Sequence, residues 1–376
     1  MLASGSTQVD AGKTRLKIVH VETGLSFYGG PQQVIWLING LSARNARSIL
    51  VCPADSEIDA VARAADIEVM NLPCGGDTDF LFPVRLHRLL RRVAPDIVHI
   101  HGRRGADFPG GWGALTARVP ALVSRRVDSM ERPLAAAIRY WPFRKIVAIS
   151  ENIAAVLDAS RVAPNRVTVI RDAVDINSMT LNADRDILQR EFGIGNDVFA
   201  IAVVAQLIRR KGHHLLLDVL PGLLKEHPDI KVVFFGTGKA EKMLRALARK
   251  LGCSAAVHFA GFRHDLDDYL SAFDLLVHPA EKEGLGVAML KAAAACLPVI
   301  AFDVAGSREA VNHLKTGILV PPDDIKALQA AIATLYAETE IRESMGVGGR
   351  NRMAEEFAIA SMADRYLEVY SEILNG

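Results

Sequence analysis

Short apolar segments alternate with helical segments along this chain, and this alternation limits the possible folds more than any single residue does. Segments 16–21, 47–53 and 97–101 are rich in β-branched residues and are predicted strands. Segment 31–44, between the first two, has apolar residues at helical spacing. Strands that alternate with helices in this way predict a parallel sheet covered by helices on both faces.

The alternation begins again at 199–207, and a chain of 376 residues exceeds one typical core. We therefore predict an α/β protein with two tandem Rossmann-like, doubly wound domains that face a cleft. A flexible lead-in is expected at 1–15, a first domain at 16–175 and a second at 176–355. Segment 356–376 is expected to be a helix that packs back toward the first domain. Ligands of open α/β sheets bind beyond the carboxyl ends of the strands, so the cleft is the expected site.

Composition and motifs argue against several classes of protein. Half of the residues are hydrophobic and 23% are charged, which is typical of a folded protein. There is no apolar run of about 18 residues, no apolar signal core at the start and no CxxC pair, so a cytoplasmic protein with reduced cysteines is expected. The motifs GxGxxG, GxxxxGK[ST], HExxH and GxSxG are also missing, so a nicotinamide dehydrogenase or a P-loop kinase is poorly supported.

Charge is distributed unevenly, although the net charge is only +1. Residues 85–145 contain 13 basic and 4 acidic side chains, a net of +9. Such a field attracts anionic partners, but arginine-rich helix faces in contact with solvent explain it equally well. The stretch contains no recognisable nucleic-acid-binding fold, so no nucleic-acid partner is expected.

Two loops of the first domain follow or border predicted strands. Gly29 and Gly30 stand just before a helix, where glycines let backbone N–H groups approach a phosphate. Taken alone, such a pair is more often an ordinary turn. His101 lies just past a strand end, where ligands bind, although a lone histidine is more often structural.

Two loops of the second domain suggest a sugar and a diphosphate. Arg209, Arg210 and Lys211 precede a helix, and fixed cations beside a helix N-terminus suit a diphosphate. A solvated basic turn is the alternative. In "HPAEKEGLGVAMLKAAA", which begins at residue 278, Glu283 can accept hydrogen bonds from sugar hydroxyls. The glycines that follow it open the mouth of the next helix to the same ligand.

Taken together, these segments resemble a known family, the retaining glycosyltransferases of family four with the GT-B fold. This large group includes many bacterial lipopolysaccharide and cell-envelope sugar transferases. The similar segments are HVETGLSFYGGPQQV, DIVHIH, VAISENI, VIRDAVDI, QLIRRKG, FFGTGKAE and HPAEKEGLGVAMLKAAAACLPVIAFDVAGSREAV. They are spread over nearly the whole chain, and as a set they are specific.

The resemblance implies a metal-independent glycosyltransferase that needs no cofactor. A nucleotide diphosphate sugar would bind mainly to the second domain, and the sugar would move with retention to an acceptor on the first domain. Side-chain cations and helix dipoles would neutralise the leaving diphosphate. With the basic stretch in the acceptor domain, we expect an anionic glycolipid or glycan acceptor, or peripheral contact with the anionic inner face of the cytoplasmic membrane.

The resemblance also implies roles for individual residues. His101 would touch the donor sugar and Glu283 would hold its hydroxyls, and these two are the implied catalytic residues. The implied donor-binding residues are Gly29, Gly30, Gln206, Arg209, Arg210, Lys211, Gly236, Gly238, Phe262, Gly284, Leu285, Gly286 and Lys291. The acceptor would contact Arg103, Arg104, Arg125 and Arg126, and no metal ligand is expected.

The chain departs from the family at two of these positions. Gln206 stands where the family usually has an arginine, and Lys291 stands where it has the glutamate that binds the nucleotide ribose. Lysine only donates hydrogen bonds, so donor binding is expected to be about ten- to a hundredfold weaker. A catalytically weakened nucleotide-sugar-binding protein is therefore one alternative, and a nucleotide-sugar epimerase on a similar fold is another.

Overall fold

The computed structural model describes residues 15–76, 78–102 and 106–376, so the lead-in expected at 1–15 lies outside the described residues except for Arg15. The first domain has seven described strands and six described helices. The strands are β1 Lys17–Val21, β2 Arg47–Cys52, β3 Glu68–Asn71, β4 Ile97–Ile100, β5 Ala121–Arg125, β6 Lys145–Ala148 and β7 Val167–Val169. The helices are α1 Gly29–Ser42, α2 Glu57–Ala64, α3 Phe82–Val93, α4 Asp107–Ala117, α5 Pro133–Tyr140 and α6 Glu151–Ala159.

The second domain follows the same plan. Its described strands are β8 Phe199–Val204, β9 Ile230–Phe235, β10 Val257–Gly261, β11 Leu275–His278, β12 Val299–Phe302 and β13 Gly317–Val320. Its helices are α7 Asp186–Phe192, α8 His213–Glu226, α9 Glu241–Lys250, α10 Val287–Ala294, α11 Ala305–Ala310, α12 Ile325–Ala337 and α13 Thr339–Glu356. A last helix, α14 Ile359–Asn375, ends the chain.

Both sheets are parallel and doubly wound, which confirms the predicted fold class. The strand order is β3-β2-β1-β4-β5-β6-β7 in the first domain and β10-β9-β8-β11-β12-β13 in the second. The central strands are apolar along their whole length because helices cover both faces, and β4, for example, is buried at every residue. The strand order reverses between β1 and β4 and between β8 and β11, and the carboxyl ends of these strands are where such folds bind ligands.

Helix α14 leaves the second domain and packs against α1 of the first. The packing is close, since a Cβ on Gly40 would lie 2.9 Å from the Ala363 Cβ. An ion pair between Arg44 and Asp364 joins the same two helices. Tyr366 and Tyr370 of α14 are fully buried in the core that β1, β4 and β5 help to form. The last helix is therefore part of the first domain's core.

None of the helices in the described ranges is long and apolar enough to cross a lipid bilayer.

Candidate active site

A cavity of about 430 Å³ lies between the two domains, at the carboxyl ends of both sheets. Its lining comes from loops that follow β1, β5, β6 and β7 on one side and β8, β9, β10 and β11 on the other. The helices α1 and α10 begin at this cavity, and a Cβ on Gly29 would lie 3.3 Å from the Val287 side chain. Two helix N-termini with positive partial charges therefore meet across the cleft, an arrangement that favours an anion.

Charged side chains line the cavity, and more of them are cations than carboxylates, although Arg263 and Lys291 are paired with acids outside the lining. The described lining includes five arginine or lysine residues and two carboxylates, a formal net of +3. The cations are Arg126, Arg210, Lys211, Arg263 and Lys291, and the carboxylates are Asp172 and Glu283. A small anion such as a diphosphate would meet several cations at once in this cavity.

Glu283 is the carboxylate on the second-domain side of the cavity. Its Oε2 accepts hydrogen bonds from Lys211 Nζ at 2.5 Å and from His278 Nε2 at 2.7 Å. Burial alone would raise the pKa of Glu283, but the bonds from His278 and Lys211 outweigh burial and hold the pKa well below its ordinary value. Glu283 is therefore ionised and can only accept hydrogen bonds from a ligand.

Glycines shape the loop that carries Glu283. Gly286 has φ +82°, a left-handed conformation that glycine adopts without strain, and it directly precedes α10. Gly306 of α11 packs against the back of the loop, where a Cβ would lie 2.3 Å from the Glu283 carbonyl oxygen. The loop is therefore held close to α11, and the Glu283 side chain extends from the loop toward Lys211.

On the first-domain side, Arg126 and Asp172 form an ion pair at 3.2 Å. Asp172 is buried, and burial raises the pKa of its carboxyl, an effect that the nearby guanidinium partly offsets. Both side chains line the cavity, opposite the loop of Glu283. The pair places one hydrogen-bond donor group and one acceptor group on this wall.

His20, His99 and His101 form a fully buried cluster, and in the described ranges no other three His, Cys, Asp or Glu side chains bring their ligand atoms as close together as a metal site needs. Arg126 Nη1 lies 3.5 Å from His101 Nδ1, and because arginine only donates, this nitrogen is the acceptor. His101 Nε2 then donates to His20 Nδ1 at 3.0 Å, and His20 Nε2 donates to Ser48 Oγ at 3.2 Å.

The third histidine is engaged in the same way. His99 bonds Tyr370 at 2.8 Å and Ser124 at 2.7 Å, so every ring nitrogen of the cluster has a partner. Burial, aided by the neighbouring histidines and Arg126, holds the pKa of His101 well below its ordinary value. The cluster is consequently a neutral hydrogen-bond network in which each ring nitrogen is already engaged by a protein partner.

Lys291 lines the cavity but is paired with an acid. Its Nζ lies 2.9 Å from both carboxylate oxygens of Asp267, in the turn after β10. The same ammonium stands 5.7 Å from the centre of the Trp36 ring, which belongs to the first domain. The lysine that departs from the family pattern thus has a carboxylate of its own beside the cavity.

Two family models match the chain in succession. Residues 28–178 match the model of glycosyltransferase family 4, and residues 184–352 match the model of glycosyl transferases group 1. The chain belongs to the group 1 glycosyltransferases.

Individual relatives of this glycosyltransferase agree with that assignment. The putative glycosyltransferase EpsD of Bacillus subtilis is 33% identical over 48% of this chain and 48% of its own length, so the alignment spans about half of that relative. The lipopolysaccharide core biosynthesis glycosyltransferase LpsE of Rhizobium meliloti is 24% identical over 94% of this chain and 98% of its own.

Solved structures share the fold of this glycosyltransferase. The crystal structure of Anabaena Alr3699/HepE in complex with UDP-glucose superimposes with a TM-score of 0.85 at 19% identity, over 95% of this chain and 100% of that one. This likeness supports the two-domain GT-B architecture.

Most residues that the sequence suggests for the glycosyltransferase site do line the cavity. These are Gly29, Gly30, Arg126, Gln206, Arg210, Lys211, Gly236, Phe262, Glu283, Gly284, Leu285, Gly286 and Lys291. Lys211 and Glu283 meet because β8 and β11, which they follow, are neighbouring strands. Their roles in binding and transfer remain predictions.

Several other suggested residues lie elsewhere. His101 is completely buried behind Arg126 and outside the cavity lining. In this structure it therefore does not face the cavity, contrary to the expectation that it touches the donor sugar. Arg209 is outside the lining, and Gly238 packs against the backbone, where a Cβ would lie 2.2 Å from the Leu207 carbonyl oxygen. The Arg125 guanidinium bonds Tyr140, Glu131 and the loop after β5, so it has an internal role in place of the expected acceptor contact.

Arg103 and Arg104, also suggested for the acceptor, lie outside the described residues.

Some lining residues were not identified from the sequence. They are chiefly Tyr28, Asp172, Arg263, His264 and His278. Asp172 and His278 stand at or just after strand ends, so their position along the chain was the available signal. Tyr28 contacts the Phe262 ring edge-on at 5.6 Å across the cleft, a contact that only the packing of the two domains reveals.

Proposed function

We propose that this glycosyltransferase moves a sugar from a nucleotide diphosphate sugar to a glycolipid or glycan of the cell envelope, as in lipopolysaccharide synthesis. The observation that carries the proposal is the cavity between the domains, whose described lining includes five cationic side chains and two helix N-termini, with Lys211 bonded to Glu283 at its wall. The name of LpsE and the UDP-glucose bound to HepE support the same reaction class.

In this proposal the donor lies across the second-domain side of the cavity. Arg210, Lys211 and the N-terminus of α10 would face the diphosphate and stabilise its charge as the sugar leaves. Glu283, ionised and restricted to accepting, would take hydrogen bonds from sugar hydroxyls. In this proposal side chains supply the positive charge, so the transfer would need no metal ion.

Retention at the anomeric carbon is part of the proposal. The acceptor would approach from the first-domain wall, where Arg126 and Asp172 lie, on the face from which the diphosphate departs. Proton NMR of the product gives the anomeric configuration directly. An inverted product would contradict this part of the proposal, and loss of turnover with EDTA would contradict the metal-independent part.

A test of the main proposal offers a panel of nucleotide sugars together with anionic glycolipids and measures products by mass spectrometry. We expect transfer by the wild type and a loss of about ten- to a hundredfold in kcat/KM for Glu283→Gln, because bonds to a charged acceptor are lost. Glu281→Gln is the matched control, since this nearby carboxylate lies outside the cavity lining. Equal turnover by wild type and Glu283→Gln would contradict the assigned role.

Control reactions separate the alternatives. A nucleotide sugar incubated without acceptor would be converted to its epimer by an epimerase, whereas the transferase would leave its configuration unchanged. A binding protein, which Gln206 and Lys291 would favour, would bind UDP or GDP in calorimetry and form no product with any donor.

We further propose that the first domain meets its acceptor at a membrane surface. Apolar side chains of α5 and the residues that flank it are exposed: Met130 by 69%, Leu134 by 74%, Ile138 by 47% and Trp141 by 62%. The exposed Arg132 and Arg144 lie in the same segment. Apolar side chains bordered by arginines fit an anionic bilayer surface, where rings insert and cations meet headgroups.

Sedimentation with phosphatidylglycerol vesicles tests this part. The wild type is expected to bind, less so at high salt, and Trp141→Glu is expected to lose most of the binding. Val347→Glu, which alters an exposed apolar residue of α13 in the second domain, is the control and should bind normally. Binding by Trp141→Glu at the wild-type level would show that this face is not the contact.

A further inference from the structure

Helix α6 of the first domain begins against the second domain, and a carboxylate of the second domain binds its first turn. The N–H groups of Glu151 and Asn152 donate to the two carboxylate oxygens of Glu309, each at 3.0 Å. The next N–H, of Ile153, donates to Ser150 Oγ at 3.1 Å. Three N–H groups that the helix itself cannot satisfy thus have partners, and two of these bonds cross the domain interface.

The position of Glu309 makes this contact stronger than an ordinary surface pair. Its side chain is only 11% exposed, and it also lies 3.4 Å from Arg171 Nε of the first domain. Negative charge is favoured at a helix N-terminus, and hydrogen bonds to a carboxylate are stronger than bonds between neutral groups. The second domain therefore holds α6 through a buried, directional contact.

The same elements enclose the loop that carries Glu283. Glu309 lies in α11, whose Gly306 packs against the Glu283 carbonyl. From the other side, Asn152 Nδ2 of α6 lies 3.4 Å from that same carbonyl oxygen and donates to it. The backbone of Glu283 consequently lies between α11 and α6, and its position depends on the two helices staying together.

We infer that Glu309 is a positioning residue for sugar transfer: by bonding the first turn of α6 it keeps the domains closed and Glu283 in place. This role rests on the proposed function. Glu309 itself does not line the cavity, so it acts through α6 and the Glu283 loop. If only molecules with closed domains bind the donor, a variant that is closed for a smaller fraction of the time binds the donor with a proportionally lower apparent affinity.

The experiment compares Glu309→Ala and Glu309→Gln with Asp303→Ala. Asp303 is the matched control because it forms an exposed ion pair with Arg308 in the same segment, within the second domain. Small-angle X-ray scattering gives the radius of gyration of each protein with and without UDP or GDP. Calorimetry gives the dissociation constants of these nucleotides, and thermal unfolding shows whether each variant is folded.

For Glu309→Ala we expect a larger radius of gyration without nucleotide and about tenfold weaker nucleotide binding, because two bonds to a charged group are lost. The radius should return toward the wild-type value at saturating nucleotide. Glu309→Gln keeps one acceptor oxygen, so its radius of gyration and nucleotide affinity should lie between those of the wild type and Glu309→Ala. Asp303→Ala should match the wild type in both.

If Glu309→Ala and Glu309→Gln match Asp303→Ala in radius and affinity, Glu309 is not a positioning residue. Should the alanine variant fail to fold, the glutamine variant decides in the same way. Absence of any transferred product from the wild type would instead contradict the proposed function. The scattering comparison would still test whether Glu309 holds the domains together.

Discussion

At residue 291 this glycosyltransferase has a lysine, and the pair that this lysine forms changes the expectation drawn from the sequence. The resemblance implies a ribose-binding glutamate on this helix, and its loss suggests a weakened donor site. The structure retains a carboxylate nearby, because Lys291 Nζ lies 2.9 Å from both oxygens of Asp267. A carboxylate therefore lies beside this helix, in the turn after β10, and the helix carries the lysine that pairs with it.

This arrangement predicts that the family residue is harmful here. Lys291→Glu is expected to weaken UDP or GDP binding about tenfold, because the new carboxylate repels Asp267 and the nucleotide. The double variant Asp267→Lys with Lys291→Glu restores the pair and should recover most of the affinity. Calorimetry on the wild type, both single variants and the double variant measures the coupling free energy between residues 267 and 291. Tighter binding by Lys291→Glu alone would show that the ribose prefers a carboxylate at 291.

Glu283 predicts a pH dependence of stability. Its folded-state pKa lies below the ordinary value of 4.5, so its ionisation stabilises the fold above about pH 4.5. That contribution is lost as the pH falls toward the folded-state pKa, because only the unfolded chain takes up the proton. Between pH 6 and pH 4 the free energy of unfolding should fall by about 1 kcal/mol more for the wild type than for Glu283→Gln. Urea unfolding at the two pH values measures this difference, and equal losses would refute it.

At the scale of elements, helix α14 stabilises the first domain through buried hydroxyls. Tyr370→Phe removes the partner of His99 Nδ1, and both residues are fully buried. An unsatisfied buried group costs about 1–3 kcal/mol, so the free energy of unfolding should fall by that amount. Tyr336→Phe is the control, because the Tyr336 hydroxyl bonds Asp229 at a partly exposed site and should cost less. Similar losses for both variants in chemical denaturation would argue against a special role for α14.

At the scale of the whole molecule, the order of the strands explains what the sequence could predict. Lys211 and Glu283 follow strands of one parallel sheet, so their proximity could be expected once both strands were recognised. His101 was expected in the cleft for the same reason, but Arg126 lies between it and the cavity, and no periodicity shows which side chain fills that space. Contacts between distant elements also leave no local signal, and the bond from Glu309 to α6 and the pair of Lys291 with Asp267 are of this kind.

The route of α14 has a consequence for how this protein is made. Tyr366 and Tyr370 belong to the core of the first domain, yet they are synthesised only after the second domain. About 200 residues separate β7 from Tyr370, and translation at roughly 5–20 residues per second makes the interval on the order of 10–40 s. During that time α1 lacks the helix that packs against it, so the nascent first domain exposes apolar side chains that α14 later buries. Its core is completed only after α14 has been synthesised.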